Sequence, residues 1–336
     1  MVFLVQQTLL FAVPLMIVAL AGVCAERSGV INLALEGIMI FGAFVGVLFI
    51  RIMQANNIFG QEQGQILMIL AMLVAAVCGA IFSLLLAFSA INLKADQTIG
   101  GTALNMLSPA IVLFFINLIA QQNTLGMAKG GAASWFMIRP STFGLPKDYS
   151  WGAIIDILIN KVYLSTYICI IVFIGVSIFL YKTRFGLRMR SCGENPHAAD
   201  SLGINVYKMR YAGVIISGAL AGMGGFTYAL TTTNCSSTGE VAGYGFLALA
   251  VMIFGNWTPL NIAAGGLLFG LFKCIAATYS TLDINGDGVY LLSQIGISPY
   301  VYRMLPYLIT LIVLAFTSKK SRVPKAEGIP YDKGQR

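Results

Sequence analysis

Between positions 3 and 24 the chain carries no charged residue, and the stretch is too long for the interior of an ordinary soluble domain. Similar runs follow at 66–93, 99–120, 162–181, 211–231, 260–280 and 300–317, with two shorter ones at 38–50 and 246–257. A run of about 20 apolar residues crosses the roughly 30 Å of bilayer hydrocarbon as a helix. The runs are continuously apolar and do not alternate, which selects helices over a barrel. Hydrophobic residues make up 58% of the chain and charged residues only 10%, against about a quarter charged in soluble domains. The expected fold class is therefore an all-α membrane protein, a polytopic transmembrane helix bundle of about nine spans. No basic residue precedes the first run and no small-residue cleavage pattern follows it, so it reads as a spanning helix, kinked at Pro14, and not as a signal peptide.

In a soluble chain a net charge of +8 would suggest a nucleic-acid partner. In a membrane chain it reports orientation, because Lys and Arg gather on the cytoplasmic side. The loop 182–210, with Lys182, Arg184, Arg188, Arg190, Lys208 and Arg210, and the segment 319–336 hold the densest basic clusters. Both face the cytoplasm if an even number of crossings separates them, and four runs do. Counting backward places Lys94 and Arg27 inside, and 121–161 and the N-terminus outside. Cys24, Cys78, Cys169 and Cys274 lie in apolar runs and read as small core residues, not as a disulfide or metal framework. The two short runs resemble each other, "MIFGAF" at 39–44 and "MIFGNW" at 252–257. Run in opposite directions, they suggest an inverted repeat, and either could be a broken or re-entrant helix.

Residues 191–205, "SCGENPHAADSLGIN", interrupt the apolar pattern. Asn195 is a good N-cap, Pro196 suits the first helical position and Gly203 suits a left-handed C-terminus. A two-turn helix over 196–202 follows, with Asn205 capping the next helix. Such a helix is too short to stand alone in water. Ala198, Ala199 and Leu202 give it a low apolar surface for a partner's groove. The residues alone leave two uses open, a loop whose charges fix topology or a docking element for a cytoplasmic protein.

Three stretches are familiar: "ERSGVINLALEGIMIFGAF" (26–44), "GLRMRSCGENPHAADSLGINVYKMRYAG" (186–213) and "PKAEGIPYDKGQR" (324–336). Together they resemble the inner-membrane permeases of bacterial ATP-binding-cassette importers, in the branch serving nucleosides and simple sugars within the wider branched-chain amino-acid permease family. The resemblance implies a fold similar to that of the cobalamin importer, with a permease domain over 1–318, a cytoplasmic coupling loop at 182–210 and a cytoplasmic tail at 319–336. It also implies a multi-pass protein of the bacterial cytoplasmic membrane, with a second homologous permease, cytoplasmic ATP-binding subunits and an extracytoplasmic substrate-binding protein or lipoprotein as partners. No cofactor is expected on this chain, since ATP and Mg belong to the ATPase subunits. The coupling element would comprise Gly193, Glu194, Asn195, Pro196, Ala198, Ala199, Leu202 and Gly203.

For the solute pathway the candidates are Asn32, Glu36, Asn105, Asn256 and Trp257. Glu36 begins a helix, where an acid suits the dipole, and a carboxylate near the membrane is costly unless paired or hydrated. Asn32 lies four residues earlier. Asn105, Asn256 and Trp257 offer amide and aromatic groups for a sugar hydroxyl and a nucleobase, but Asn also joins helices and Trp also anchors at interfaces. Lys273, in mid-span, must face an acid, a carbonyl or water, and a structural pair is the simpler reading. "DINGDG" at 283–288 imitates a calcium loop but has Gln294 where the bidentate Glu belongs, so a tight external turn is expected. His197 is the single histidine, with no base or nucleophile arranged around it, and no P-loop sequence occurs. The competing class is an ion-coupled carrier with Glu36 or Lys273 as relay, or a scaffold that transports nothing. Riboflavin, simple sugars and branched-chain amino acids remain alternative solutes.

Overall fold

The computed structural model describes residues 2–138, 162–279, 298–317 and 322–334. The proposed turn at 283–288 and positions 139–161 of the expected external segment lie outside them. The described chain is helical: α1 (Val2–Glu26), α2 (Leu35–Ala55), α3 (Gly64–Ala87), α4 (Gln97–Ala120), the one-turn α5 (Ala132–Trp135), α6 (Leu164–Lys182), α7 (Arg184–Glu194), α8 (Pro196–Ser201), α9 (Val206–Thr232), α10 (Tyr244–Phe254), α11 (Pro259–Thr278) and α12 (Pro299–Thr317). Two short strands, β1 (Met137–Ile138) and β2 (Val162–Tyr163), pair antiparallel with Met137 opposite Tyr163.

Among the described residues seven helices are long and apolar enough to span a bilayer, fewer than the nine expected. The run at 38–50 does not end early: it belongs to α2, whose 21 residues are continuous. The run at 246–257 yields α10, whose 11 residues, at about 1.5 Å each, reach only roughly 16 Å. Helix α12 has 19 residues, with Pro306 inside it.

The most enclosed helix is α9, with 83% of its apolar window buried. Its glycines explain the position. A Cβ on Gly222 would lie 2.4 Å from the Ala75 carbonyl oxygen of α3, and one on Gly42 of α2 would lie 2.4 Å from the Gly222 carbonyl. In lipid, where apolar burial does not drive helices together, small residues let backbones touch and gain packing and dispersion contacts. Around this centre the outer faces of α3 and α4 stay apolar, as at Leu73, Val77, Ile81, Phe114 and Leu118. An apolar exterior suits hydrocarbon surroundings.

Polar segments collect at two ends. At one, residues 121–138 meet 233–243: Leu125 and Ser237 form an isolated bridge, and the Ala132 amide donates to Asn234 Oδ1 at 3.0 Å. At the other, Arg27, Lys94, α7, α8 and 322–334 converge, as in the Arg27–Glu194 pair at 3.3 Å and the Lys94–Asp332 pair at 2.6 Å. The α1–α2 connection folds inward from this second end, carrying the start of α2 into the bundle.

Candidate functional site

A helix begins with backbone N–H groups that have no partner inside the helix. The buried start of α2 lacks a side-chain N-cap of its own, since Ala34 occupies that position. Side chains from elsewhere do the work. The Gly37 amide donates to Asn105 Oδ1 of α4 at 2.7 Å, while Asn105 Nδ2 donates to the Leu33 carbonyl at 2.7 Å. Asn32 Oδ1 accepts from the Ala34 amide at 3.1 Å, and its Nδ2 donates to Ser217 Oγ of α9 at 2.8 Å. Both asparagines are thus occupied in holding a re-entrant turn.

Glu36, in the first turn of α2, reaches the first turn of α10. Its Oε1 accepts from the Gly243 amide at 3.0 Å, and its Oε2 from Gly245 at 2.5 Å and Phe246 at 3.4 Å. Two helix N-termini therefore meet around one carboxylate, the charge that their dipoles favour. The helices that carry the two similar hexamers are joined head to head. The turn entering α10 is left-handed at two successive residues, Ala242 with φ +49° and Gly243 with φ +72°. Such a conformation is costly for alanine and persists where its surroundings hold it.

Lys273 of α11 grips the other side of that turn. Its Nζ donates to the Ala242 carbonyl at 3.2 Å and approaches Tyr307 Oη at 3.4 Å. It also lies 5.0 Å from the ring centre of Tyr244 and 5.1 Å from that of Tyr307, within cation–π range. Here the structure extends the sequence reading of a simple pair, because Lys273 lines a cavity of about 390 Å³. Phe11, Tyr228, Thr232, Tyr244 and Tyr307 form much of its wall. Neither ion pair found among the described residues includes Lys273.

At the other end α8 has the expected caps. Asn195 Oδ1 accepts from the Ala198 amide at 3.1 Å, and Gly203 has φ +81°. The helix stops at Ser201, one residue short of the expected span. Ala198 and Leu202 face outward. Ala199 corrects the expected surface: it is buried against Cys192, Val206 and Tyr331. Pro196 is buried too, and Gly193 packs so closely that a Cβ there would lie 2.4 Å from the Arg27 carbonyl oxygen. Glu194 pairs with Arg27.

Residues 322–334 lie across this element. The Ala326 amide donates to the Gly193 carbonyl at 2.8 Å, buried Arg210 donates to the Ile329 carbonyl at 2.9 Å, and the His197 and Tyr331 rings lie 5.3 Å apart. The Lys94 ammonium holds Asp332 below the usual carboxylate range, and Asp332 in turn raises Lys94. Asn256 and Trp257 belong here, at the end of α10 remote from the cavity. The Trp257 indole donates to Glu26 Oε2 at 2.5 Å, Tyr181 donates to the Trp257 carbonyl, and Asn256 Oδ1 accepts from the Arg322 amide at 2.6 Å. Trp257 is only 3% exposed, so its ring is covered by the chain's own residues. Of the five pathway candidates none lines the cavity; Glu36 comes nearest by holding its wall. Tyr228, Tyr244 and Tyr307 escaped the sequence reading, although tyrosine in or beside an apolar run is a visible signal for an amphipathic contact.

The family model of the branched-chain amino acid transport system permease component matches residues 4–314. The guanosine ABC transporter permease protein NupQ of Bacillus subtilis is 40% identical, over 99% of this chain and 97% of its own. The nucleoside ABC transporter permease protein NupC of Lactococcus lactis is 38% identical over the same shares. A second protein of that organism, nucleoside ABC transporter permease protein NupB, is 27% identical over 48% of this chain and 41% of its own. No solved structure matches the chain.

Proposed function

The chain belongs to the permease-component family of branched-chain amino acid transport systems, and from that premise we propose that it is the membrane subunit of an ATP-binding-cassette importer for nucleosides. The observation that carries the reading is the near end-to-end similarity to relatives named as guanosine and nucleoside permeases. A subunit of this kind is not an enzyme: ATP and Mg sit on partner ATPase subunits, which dock on α7 and α8 with Ala198 and Leu202 outermost. A second homologous permease completes the pathway, a reading supported by the two differently named Lactococcus permeases that match this chain. An extracytoplasmic binding protein delivers the solute at the opposite end, across the bacterial cytoplasmic membrane. The fold is of the cobalamin-importer kind, with the short α10 and the 19-residue α12 as the eighth and ninth crossings.

Alternating access then has a physical route. Motion imposed on α7 and α8 is felt at Arg27 through Glu194 and the Gly193 contact, and Arg27 follows directly on α1. Along the α1–α2 connection the motion reaches Glu36, which grips the first turn of α10. The deciding experiment is uptake of labelled guanosine in cells deleted for this chain and complemented with it. Uptake should need the chain, and should survive collapse of the proton gradient while cellular ATP is kept. Loss with the gradient would make it an ion-coupled carrier, and uptake indifferent to deletion would make it a scaffold.

A further inference from the structure

Three features coincide at the cavity beside α10 and are not explained by packing. Its volume of about 390 Å³ falls in the range of small-ligand sites, roughly 300–1,000 Å³. Tyr244 is almost fully buried, yet its hydroxyl has no hydrogen-bond partner among the described residues. Buried polar groups without partners are rare and mark a missing water, ion or ligand. Lys273 brings a full positive charge to the wall, held by one bond of 3.2 Å and one of 3.4 Å. Contacts this long are weak, so the ammonium can turn to a better acceptor at small cost.

We propose that this cavity is a solute station, in which the base of a nucleoside lies against the exposed ring of Tyr307 while Lys273, turned off that ring, donates to a base carbonyl and the Tyr244 hydroxyl to an acceptor on the sugar. The proposal rests on the nucleoside reading above and assigns it a place. Aromatic faces hold any base by stacking, with little regard to which one. That suits a pathway fed by a separate binding protein. The carboxylate nearest the turn, Glu36, accepts its hydrogen bonds from three backbone amides and forms no ion pair with Lys273 among the described residues. The cavity also borders Thr232, at the end of α9, and Ala242. It therefore lies nearer the end of the bundle opposite α7 and α8, where solute arrives.

The test places a cysteine at Ala277, which lines the cavity, and leaves Lys273 and the tyrosines unsubstituted. The native cysteines are buried or, at Cys78, half-buried, so the unsubstituted chain serves as the labelling control. In the assembled importer with its binding protein, guanosine should slow alkylation of A277C by N-ethylmaleimide at least fivefold, and glucose should not. In parallel, Tyr307→Ala should lower guanosine uptake per molecule about tenfold, the order expected for loss of one stack, and Lys273→Met should lower it too by removing the donor to the base. Tyr307→Phe, which keeps the ring, should retain most of it. If guanosine leaves alkylation unchanged in an importer that still takes it up, the station is elsewhere and the transport reading stands. If the unsubstituted importer carries no nucleoside, both fall. The alkylation readout keeps Lys273 and the tyrosines intact, so it decides the matter even where the Lys273 variant is poorly produced.

Discussion

Glu36 holds the entry to α10 with both carboxylate oxygens, a task that a neutral amide cannot repeat. In Glu36→Gln one backbone N–H would face the new NH2 group, and a buried donor left without an acceptor costs about 1–3 kcal/mol. The purified protein should therefore melt at lower temperature, and uptake per molecule should drop as the cavity wall loosens. An unchanged melting temperature would show that the carboxylate is not the fastener described here. The sequence made Glu36 conspicuous, because a carboxylate in an apolar setting needs a partner. Its partner was invisible, being backbone 207 positions away in Gly243. Asn105 was similarly conspicuous by type, but only the fold shows both ends of its amide committed to the start of α2. Trp257 looked available for the same reason, as an aromatic ring at the end of an apolar run, whereas in the fold it is buried with its indole N–H donated to Glu26.

Among the elements, α8 was legible from its caps because capping is local chemistry, written within three residues of each helix end. Which of its faces turns inward was not legible, since the 322–334 segment decides it by laying Tyr331 on Ala199. The length of α2 was also misjudged: its N-terminus is capped from α4 rather than by its own preceding residue. The docked segment carries a pH dependence through Glu327. Burial pushes its carboxyl up to about 7, against the opposing pull of the Arg27 guanidinium, whereas a free carboxyl titrates near 4.3. The docked form thus binds the proton more tightly than the undocked form between those values. Docking is strongest below the free value, weakens as pH rises toward about 7 and changes little above it. Proteolysis within 322–334 should accelerate from pH 5.5 to 7.5 in the native chain. In Glu327→Gln that acceleration should shrink, and an equal slope in both would place the titration elsewhere.

For the molecule as a whole, the apolar runs announced a helical membrane bundle, and the basic clusters announced which loops share an end. The number of full crossings was less readable: the 246–257 run is short from the outset, and its length alone does not say whether an 11-residue helix counts as a crossing. The two ends give a direct prediction. Ser134 and Ser201 are both exposed, at opposite ends of the bundle, so a cysteine at Ser201 should react with an impermeant thiol reagent only from the cytoplasmic face and one at Ser134 only from outside. Labelling of both from one face would overturn the orientation. The clasp between Arg210 and the Ile329 carbonyl joins positions 119 residues apart. At synthesis rates of about 5–20 residues per second, the ribosome delivers the second partner on the order of ten seconds after the first. During that interval α7 and α8 already stand at the membrane surface with Arg210 uncovered. A message truncated between the two positions would yield a chain without this clasp, leaving Arg210 without its bond to the Ile329 carbonyl.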